Sequence, residues 1–387
     1  MRPPVIMLVA AEPSGDVLGA DLMAALRRRL PEARFVGLGG PRMTAAGIAS
    51  PFDMGELSVF GIFEGLAAYP KVVRRIGDLV ALAEAERPDV AVLIDSWGFT
   101  SRLARALRRR LPDVTLVKYV GPQVWASRPG RARTLAALFD HLLAILPFDA
   151  PFYEGLDVDV TFVGNPVMVR EGRDADGMRL RRRIGAGADD PILLVLPGSR
   201  AAEIERMMPP FEEAARLARA AHPDLHIVIP AAPAIAEAVK AKVAAWPFRA
   251  HVVEGDEAKG DAMKAATVAL ACSGTVTTEV ALAGCPFIVA YRMSGASYAV
   301  IKRLIRTRFI TLLNIAADRE VAPEFIQHAA TGPALAKAVV ARLDDPALRA
   351  AQVAAQDEAL KQMGRGGPDP SDKAADVIAG LLRPRDA

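Results

Sequence analysis

Residues Pro191–Arg206 read PILLVLPGSRAAEIER. An apolar run, Ile192–Leu196, breaks at Pro197-Gly198, and a helix-forming segment follows Ser199 and Arg200. That order is strand, tight turn, helix. Gly198 lets the backbone come close to a ligand. Ser199 is the expected N-cap. Arg200 sets a fork of donors beside a helix start whose free N–H groups favour anions. The stretch reads as an anion cradle; the alternative is a plain strand-to-helix turn with a solvated arginine.

The same pattern recurs along the chain. In the first half, Val5–Ala10 gives way to Ala11–Asp16, Val90–Ile94 ends at Asp95, and Thr115–Tyr119 ends at Gly121-Pro122. Phe35-Val36, Leu142–Leu146 and Val160–Val163 behave alike, and Asp21–Leu30 and Ser101–Leu111 are amphipathic helices between them. The pattern restarts with Ile192–Leu196, His226–Pro230, His251–Val253, Val268–Ala271 and Phe287–Tyr291. Runs this apolar, alternating with helices, predict parallel sheets covered on both faces. Two doubly wound α/β domains of similar size are expected, 1–167 and 168–363, with a cleft between them. The polar segment Val167–Asp190 is the expected linker, and 364–387 a helical tail. That tail can return to either domain, or to that of a second copy in a homodimer.

Composition agrees. A chain of 387 residues, 52% hydrophobic and 24% charged, has core enough for about two domains. The net charge is only +3, and the arginine clusters (Arg27–Arg29, Arg108–Arg110, Arg181–Arg183) read as solvated helix ends. No basic tail or aromatic-interleaved basic stretch argues for nucleic acid. Cys272 and Cys285 lie in apolar or glycine-rich surroundings, which favours buried thiols over a disulfide. Met1–Ala11 reads as a first strand rather than a signal peptide, and no run has the length of a membrane span. A cytoplasmic protein is expected, with a membrane surface within reach.

Ligands of open α/β sheets bind outside the carboxyl ends of the strands. Glu12, Ser14, Asp16, Asp95, Gln123, Asn165, Arg200, Ser273 and Arg292 sit at those ends. No G-x-x-x-x-G-K-[ST] is present, Gly37–Gly40 is a weak dinucleotide signal, and the five histidines offer no zinc pattern, so no metal and no cofactor is expected. What remains is carboxylates and phosphate binders. Asp95, ending an apolar strand, is suited to take a proton from a hydroxyl; its alternative is an N-cap. Glu12, Ser14 and Asp16 share one turn, fit to bind a polyol or to cap the first helix. Ser273, Gly274 and Thr275 form a second anion turn, and Glu279, one turn on, can hold the hydroxyls of a ribose; its alternative, the commoner case, is a solvated helix glutamate. Two anion turns in one half favour a sugar-nucleotide donor over ATP. Leu57–Leu66, with Phe60 and Phe63, is aromatic-rich and is followed by Lys71, Arg74 and Arg75. That mix fits acyl chains and an anionic membrane, or a core helix with a solvated end.

Taken together, these residues resemble the lipid-A-disaccharide synthase family of bacterial glycosyltransferases. The resemblance covers nearly the whole chain: AEPSGDVLGA (Ala11–Ala20), GLGGPRM (Gly37–Met43), LSVFGIFE (Leu57–Glu64), LIDSWGF (Leu93–Phe99), YVGPQVWASRPGR (Tyr119–Arg131), FVGNP (Phe162–Pro166), LPGSRAAEIER (Leu196–Arg206), CSGTVTTEVALAGCP (Cys272–Pro286) and LLNIAADREVAPEFIQ (Leu312–Gln327). It implies the GT-B fold, two Rossmann-like domains with UDP on the C-terminal one. It implies inverting transfer from UDP-2,3-diacylglucosamine to the 6-hydroxyl of 2,3-diacylglucosamine 1-phosphate, without a divalent metal, at the inner-membrane surface. By the same resemblance Asp95 is the general base and Arg200 steadies the leaving diphosphate. Gly198, Ser199, Ser273, Gly274, Thr275, Glu279, Arg292 and Asn314 face the donor. Glu12, Ser14, Asp16, Phe60, Phe63, Gln123 and Trp125 face the acceptor and its lipid. The chain departs from the family at Ala11 (usually Gly), Asn165 (usually His) and Leu313 (usually Pro). Another GT-B enzyme using UDP-N-acetylglucosamine, a peptidoglycan-precursor transferase or an epimerase, is the alternative; an inactive sugar-nucleotide-binding protein is a second.

Overall fold

The computed structural model describes residues 2–57, 62–170, 174–305 and 307–382. These form two compact units, Met1–Pro166 with Gly367–Ala387, and Val167–Gly366.

The first unit is built on a parallel sheet of β1 (Val5–Ala10), β2 (Arg34–Leu38), β3 (Val90–Ile94), β4 (Thr115–Tyr119), β5 (His141–Ala144) and β6 (Asp159–Phe162), in the order β2-β1-β3-β4-β5-β6. Residues of β1 and β3 are buried without exception, which is why both read as unbroken apolar runs. Ala10 pairs with Ile94 and Ile94 with Tyr119, so β1, β3 and β4 end level and their turns leave one edge together. The chain goes from β1 out to β2 and returns to the other side of β1 for β3. The crevice between β1 and β3 is therefore the topological switch point.

The second unit repeats the plan with β7 (Ile192–Leu196), β8 (His226–Ala231), β9 (His251–Glu254), β10 (Val268–Cys272), β11 (Phe287–Tyr291) and β12 (Glu324–Ile326). Its order is β12-β11-β10-β7-β8-β9, all parallel, which puts the switch point between β7 and β10. Cys272 and Cys285 are buried and unbridged, as expected.

Three expectations are corrected. The first helix runs Pro13–Arg29 and the one after β3 runs Trp97–Arg110, each starting before its amphipathic part. Pro13 is tolerated in a first turn because its missing N–H has no intrahelical partner there. The segment 167–190 is more regular than a linker: Gly177–Ile184 is a helix. Asp176 caps it through Met178 N–H, and Gly185 closes it at φ 74°. Asp261 fixes it to the second unit by accepting from Asp176 N–H at 2.7 Å and from Arg179 Nη2 at 2.8 Å. Finally, β12 was not expected; three residues at a sheet edge carry too little pattern to read.

The tail helix, Pro370–Leu381, packs on the Pro13–Arg29 helix of the first unit. Arg28 and Arg29 donate to Asp372 at 2.5 and 2.7 Å, Arg29 also pairs with Asp376, and Lys373 donates to the Phe162 carbonyl. Ala374, Ala375 and Ile378 complete the apolar core. Ile378→Ala should cost about 2–4 kcal/mol in urea denaturation and raise hydrogen exchange first in 370–381. Unchanged stability would mean that the tail does not belong to this core.

Candidate functional site

In the first unit the switch point gathers Glu12, Ser14, Asp95 and Ser96. Ser14 Oγ donates to Asp95 Oδ2 at 3.1 Å, and Ser96 Oγ donates to Glu12 Oε1 at 2.6 Å. The turn that presents Asp95 is strained: Asp95 has φ 49° and Ser96 φ 42°. Successive left-handed residues other than glycine cost about 1–3 kcal/mol each. The helix N-cap is Ser96, not Asp95, so the Asp95 carboxylate is not used as a cap.

Lys118 holds this turn. It lies on β4 and is fully buried. Its ammonium donates to Leu93 O at 3.1 Å, Asp95 O at 2.5 Å and Tyr119 O at 3.4 Å. Thr100 Oγ1 adds bonds to Asp95 O and Ser96 O at 2.9 and 3.1 Å. Burial drives the ammonium from its ordinary 10.5 down to about 7, against the pull of Asp95 and Glu12. A lysine inside an otherwise apolar parallel strand is a signal the sequence carried unread.

Other residues expected at the acceptor have internal tasks. Asp16 is buried and accepts from Gly40 N–H and Met43 N–H through Oδ1 and from Arg42 N–H through Oδ2, at 2.8, 3.0 and 2.9 Å. It caps the next helix. Trp125 is buried and packs edge-on to Phe148, with ring centroids 5.0 Å apart. Its indole N–H has no hydrogen-bond partner, although Asp149 lies close enough to feel it. Gln123 is exposed on the same loop. Phe60 lies outside the described residues, as does the side chain of Phe63. Of the basic residues after them, Lys71 and Arg75 are tied to Glu56, leaving Arg74 exposed.

In the second unit the switch point gathers both anion turns. Gly198 has φ 110°, a conformation glycine adopts freely. The helix N-cap is Arg200 rather than Ser199. The reason is Glu203, which reaches back from the third helical position to accept from Ser199 N–H at 3.0 Å, Arg200 N–H at 3.3 Å and Arg200 Nη1 at 3.2 Å. The cradle thus already holds a carboxylate, while the Arg200 side chain is 79% exposed. Beyond β10, Ser273 is half-buried and Gly274 and Thr275 are exposed, and Thr277 Oγ1 closes the turn on Gly274 O at 2.8 Å. Glu279 is ion-paired with Lys259 of the neighbouring Asp256–Ala265 helix, a partner sequence reading did not find.

Two donor-side residues turn inward. Arg292 gives Nε to Gln327 O and Nη2 to Ala330 O, at 3.3 and 2.8 Å. Asn314 is fully buried. Its amide nitrogen donates to Ala322 O and Glu324 Oε1, both at 2.8 Å, and its oxygen accepts from Val321 N–H and Ala322 N–H at 2.7 and 2.9 Å. Glu324 in turn accepts from the N–H groups of Ile310 and Thr311. Asn314 therefore orders the loop over 310–324 and has no surface to offer a ligand. Among the described residues no cluster of His, Cys, Asp and Glu could hold a metal ion.

A family model described as lipid-A-disaccharide synthetase matches residues 6–375. The chain is 43% identical over 387 residues to a lipid-A-disaccharide synthase of Rhodospirillum centenum, covering 100% of this chain and 96% of the relative. It is 41% identical over 382 residues to the synthase of Paramagnetospirillum magneticum, covering 98% of each. Among solved structures, the UDP-GlcNAc 2-epimerase of Methanocaldococcus jannaschii superposes with a TM-score of 0.60 at 14% identity, over 98% of this chain and 100% of that one. That likeness speaks to the fold alone, the GT-B type.

With Asp95 as the expected base, replacing Lys118 by Met should lower kcat by about 10–100-fold, the cost of slightly misplacing such a group, with smaller changes in KM. Its effect on stability has a definite sign. Between pH 7 and 10.5 the unfolded chain binds the proton that folded Lys118 has lost, so this group makes stability rise with pH across that window. Denaturation at several pH values should show the rise in the wild type and not in Lys118→Met; equal slopes would contradict the assignment.

Proposed function

The chain belongs to the lipid-A-disaccharide synthase family, and on that footing we propose how its residues carry the family's reaction. The enzyme is a glycosyltransferase. It joins UDP-2,3-diacylglucosamine to 2,3-diacylglucosamine 1-phosphate, giving the disaccharide 1-phosphate of lipid A biosynthesis and UDP. The observation that carries the residue assignment is that both switch points hold chemistry, a carboxylate in the first unit and anion turns in the second.

Asp95 accepts the proton of the acceptor 6-hydroxyl. The freed oxygen forms its bond to the anomeric carbon of the donor while the bond from that carbon to the UDP oxygen breaks, with inversion. Ser14 orients the Asp95 carboxylate, and Lys118 fixes the backbone beneath it. Negative charge grows on the departing diphosphate. Arg200 and the Ser273–Thr275 turn receive it, and the Ser199 and Arg200 N–H groups pass from Glu203 to a phosphate oxygen. Glu279 binds the ribose hydroxyls, released for that purpose from Lys259. Asp95→Asn should reduce kcat at least about 100-fold with donor KM little changed. Arg200→Ala should reduce kcat by about 100–1000-fold. Disaccharide formation unaffected by either change would remove that residue from the mechanism.

The first unit also meets the acyl chains and the membrane surface. No helix among the described residues is long and apolar enough to cross a membrane. What supports surface contact is a groove of about 430 Å³ lined by Val73, Ile76, Gly77 and Val80, with Val73 48% exposed, and edged by Arg109 and by Arg110, which is ion-paired with Glu84 at 3.6 Å. Val73→Asp should weaken binding to vesicles containing phosphatidylglycerol in a sedimentation assay, and added salt should weaken it further. Equal binding of the variant and the wild type would exclude this face.

A further inference from the structure

The segment leaving β4 carries two guanidinium groups, Arg128 just before the short helix Gly130–Ala136 and Arg131 in its first turn. Arg131 N–H donates to the Arg128 carbonyl at 3.0 Å, which closes the turn and sets the two residues three positions apart. Arg128 adopts φ 53°, an uncommon backbone state for a side chain of this size. Arg131 is partly buried, and burial together with the Arg128 charge holds its guanidinium below the usual value. Arg128 is exposed beside it; two like charges held this close repel, and an opposite charge bound between them relieves the repulsion.

Elsewhere the chain supplies that opposite charge itself. Arg29 has Asp372 and Asp376, Arg75 has Glu56, Arg108 has Asp140, and Arg179 has Asp261. Among the described residues Arg131 is the one partly buried arginine whose side chain has neither a hydrogen bond nor an ion pair. Arg128 has no carboxylate partner either.

We propose that Arg128 and Arg131 form the subsite for the phosphate monoester of the acceptor sugar. This rests on the transferase reading above. The reaction brings two phosphate groups to the enzyme: the donor diphosphate, which the second unit's turns receive, and the acceptor's 1-phosphate. The arginine pair lies in the first unit, at the start of the helix that follows β4, and β4 is the hydrogen-bonded neighbour of the strand that ends just before Asp95. A phosphate monoester carries close to two negative charges at neutral pH, which matches two guanidinium groups, and its oxygens suit their paired donors. The pair would thus select a phosphorylated acceptor over its dephosphorylated form and place its 6-hydroxyl for Asp95.

The test compares kcat/KM for 2,3-diacylglucosamine 1-phosphate and for 2,3-diacylglucosamine, in neutral detergent with no phospholipid. The wild type should prefer the phosphorylated acceptor. Arg131→Gln should shrink that preference about ten-fold, the worth of one charge-assisted hydrogen bond. Arg128→Gln, Arg131→Gln together should shrink it further, through acceptor KM rather than donor KM. Arg131→Lys should restore part of it. An equal loss on both acceptors, or none, overturns the proposal. So does an effect that appears only when phosphatidylglycerol vesicles are added, which would assign the pair to lipid headgroups. A wild-type enzyme that forms disaccharide from both acceptors equally well overturns the subsite while leaving the transferase intact; one that forms none from either overturns the transferase reading as well.

Discussion

Three carbonyl oxygens at the ends of β3 and β4, those of Leu93, Asp95 and Tyr119, converge on one buried lysine, Lys118. An unpaired carbonyl at this depth would cost about 1–3 kcal/mol, and the turn it belongs to is already strained at Asp95 and Ser96. The Lys118 amino group ties that turn to the strand ends, within electrostatic reach of the carboxylates of Asp95 and Glu12. One side chain thus serves the strand ends and the turn that presents the carboxylate proposed as the base.

The second unit meets the corresponding requirement with the opposite charge. After β7 the N–H groups of Ser199 and Arg200 need acceptors, and Glu203 supplies a carboxylate from one turn along the helix. The turn proposed to take the donor's diphosphate is thus satisfied by its own glutamate when no ligand is bound. Glu279 is held the same way, by Lys259. In the proposed mechanism both glutamates give up an internal partner when the donor arrives, and the protein's own polar contacts then set part of the cost of binding it.

The architecture was legible because both sheets are parallel and covered on two faces. Such strands are continuous apolar runs, and β1, β3, β4, β7 and β11 appear where those runs stand in the sequence. The turns at their ends were legible too, since a glycine, serine, proline or acidic residue stands within three residues of the end of each run. What could not be read was which polar residues face outward. Asp16 and Asn314 look like ligand-binding side chains in sequence, but they serve three backbone N–H groups and a whole loop respectively. Trp125 looks like a contact surface and is core. Lys118, Glu203 and Lys259 went unnoticed because their meaning lies in partners 23, 4 and 20 residues away. Single-residue chemistry was visible; pairings across strands and helices were not.

The account stands or falls on group transfer between two acylated sugars. The direct measurement incubates the purified chain with UDP-2,3-diacylglucosamine and 2,3-diacylglucosamine 1-phosphate, quantifying UDP and analysing the lipid product by mass spectrometry and anomeric NMR couplings. The account predicts one UDP for each β-1,6-linked disaccharide 1-phosphate. UDP released without a disaccharide, or a donor sugar altered at one carbon with no new glycosidic bond, would contradict it.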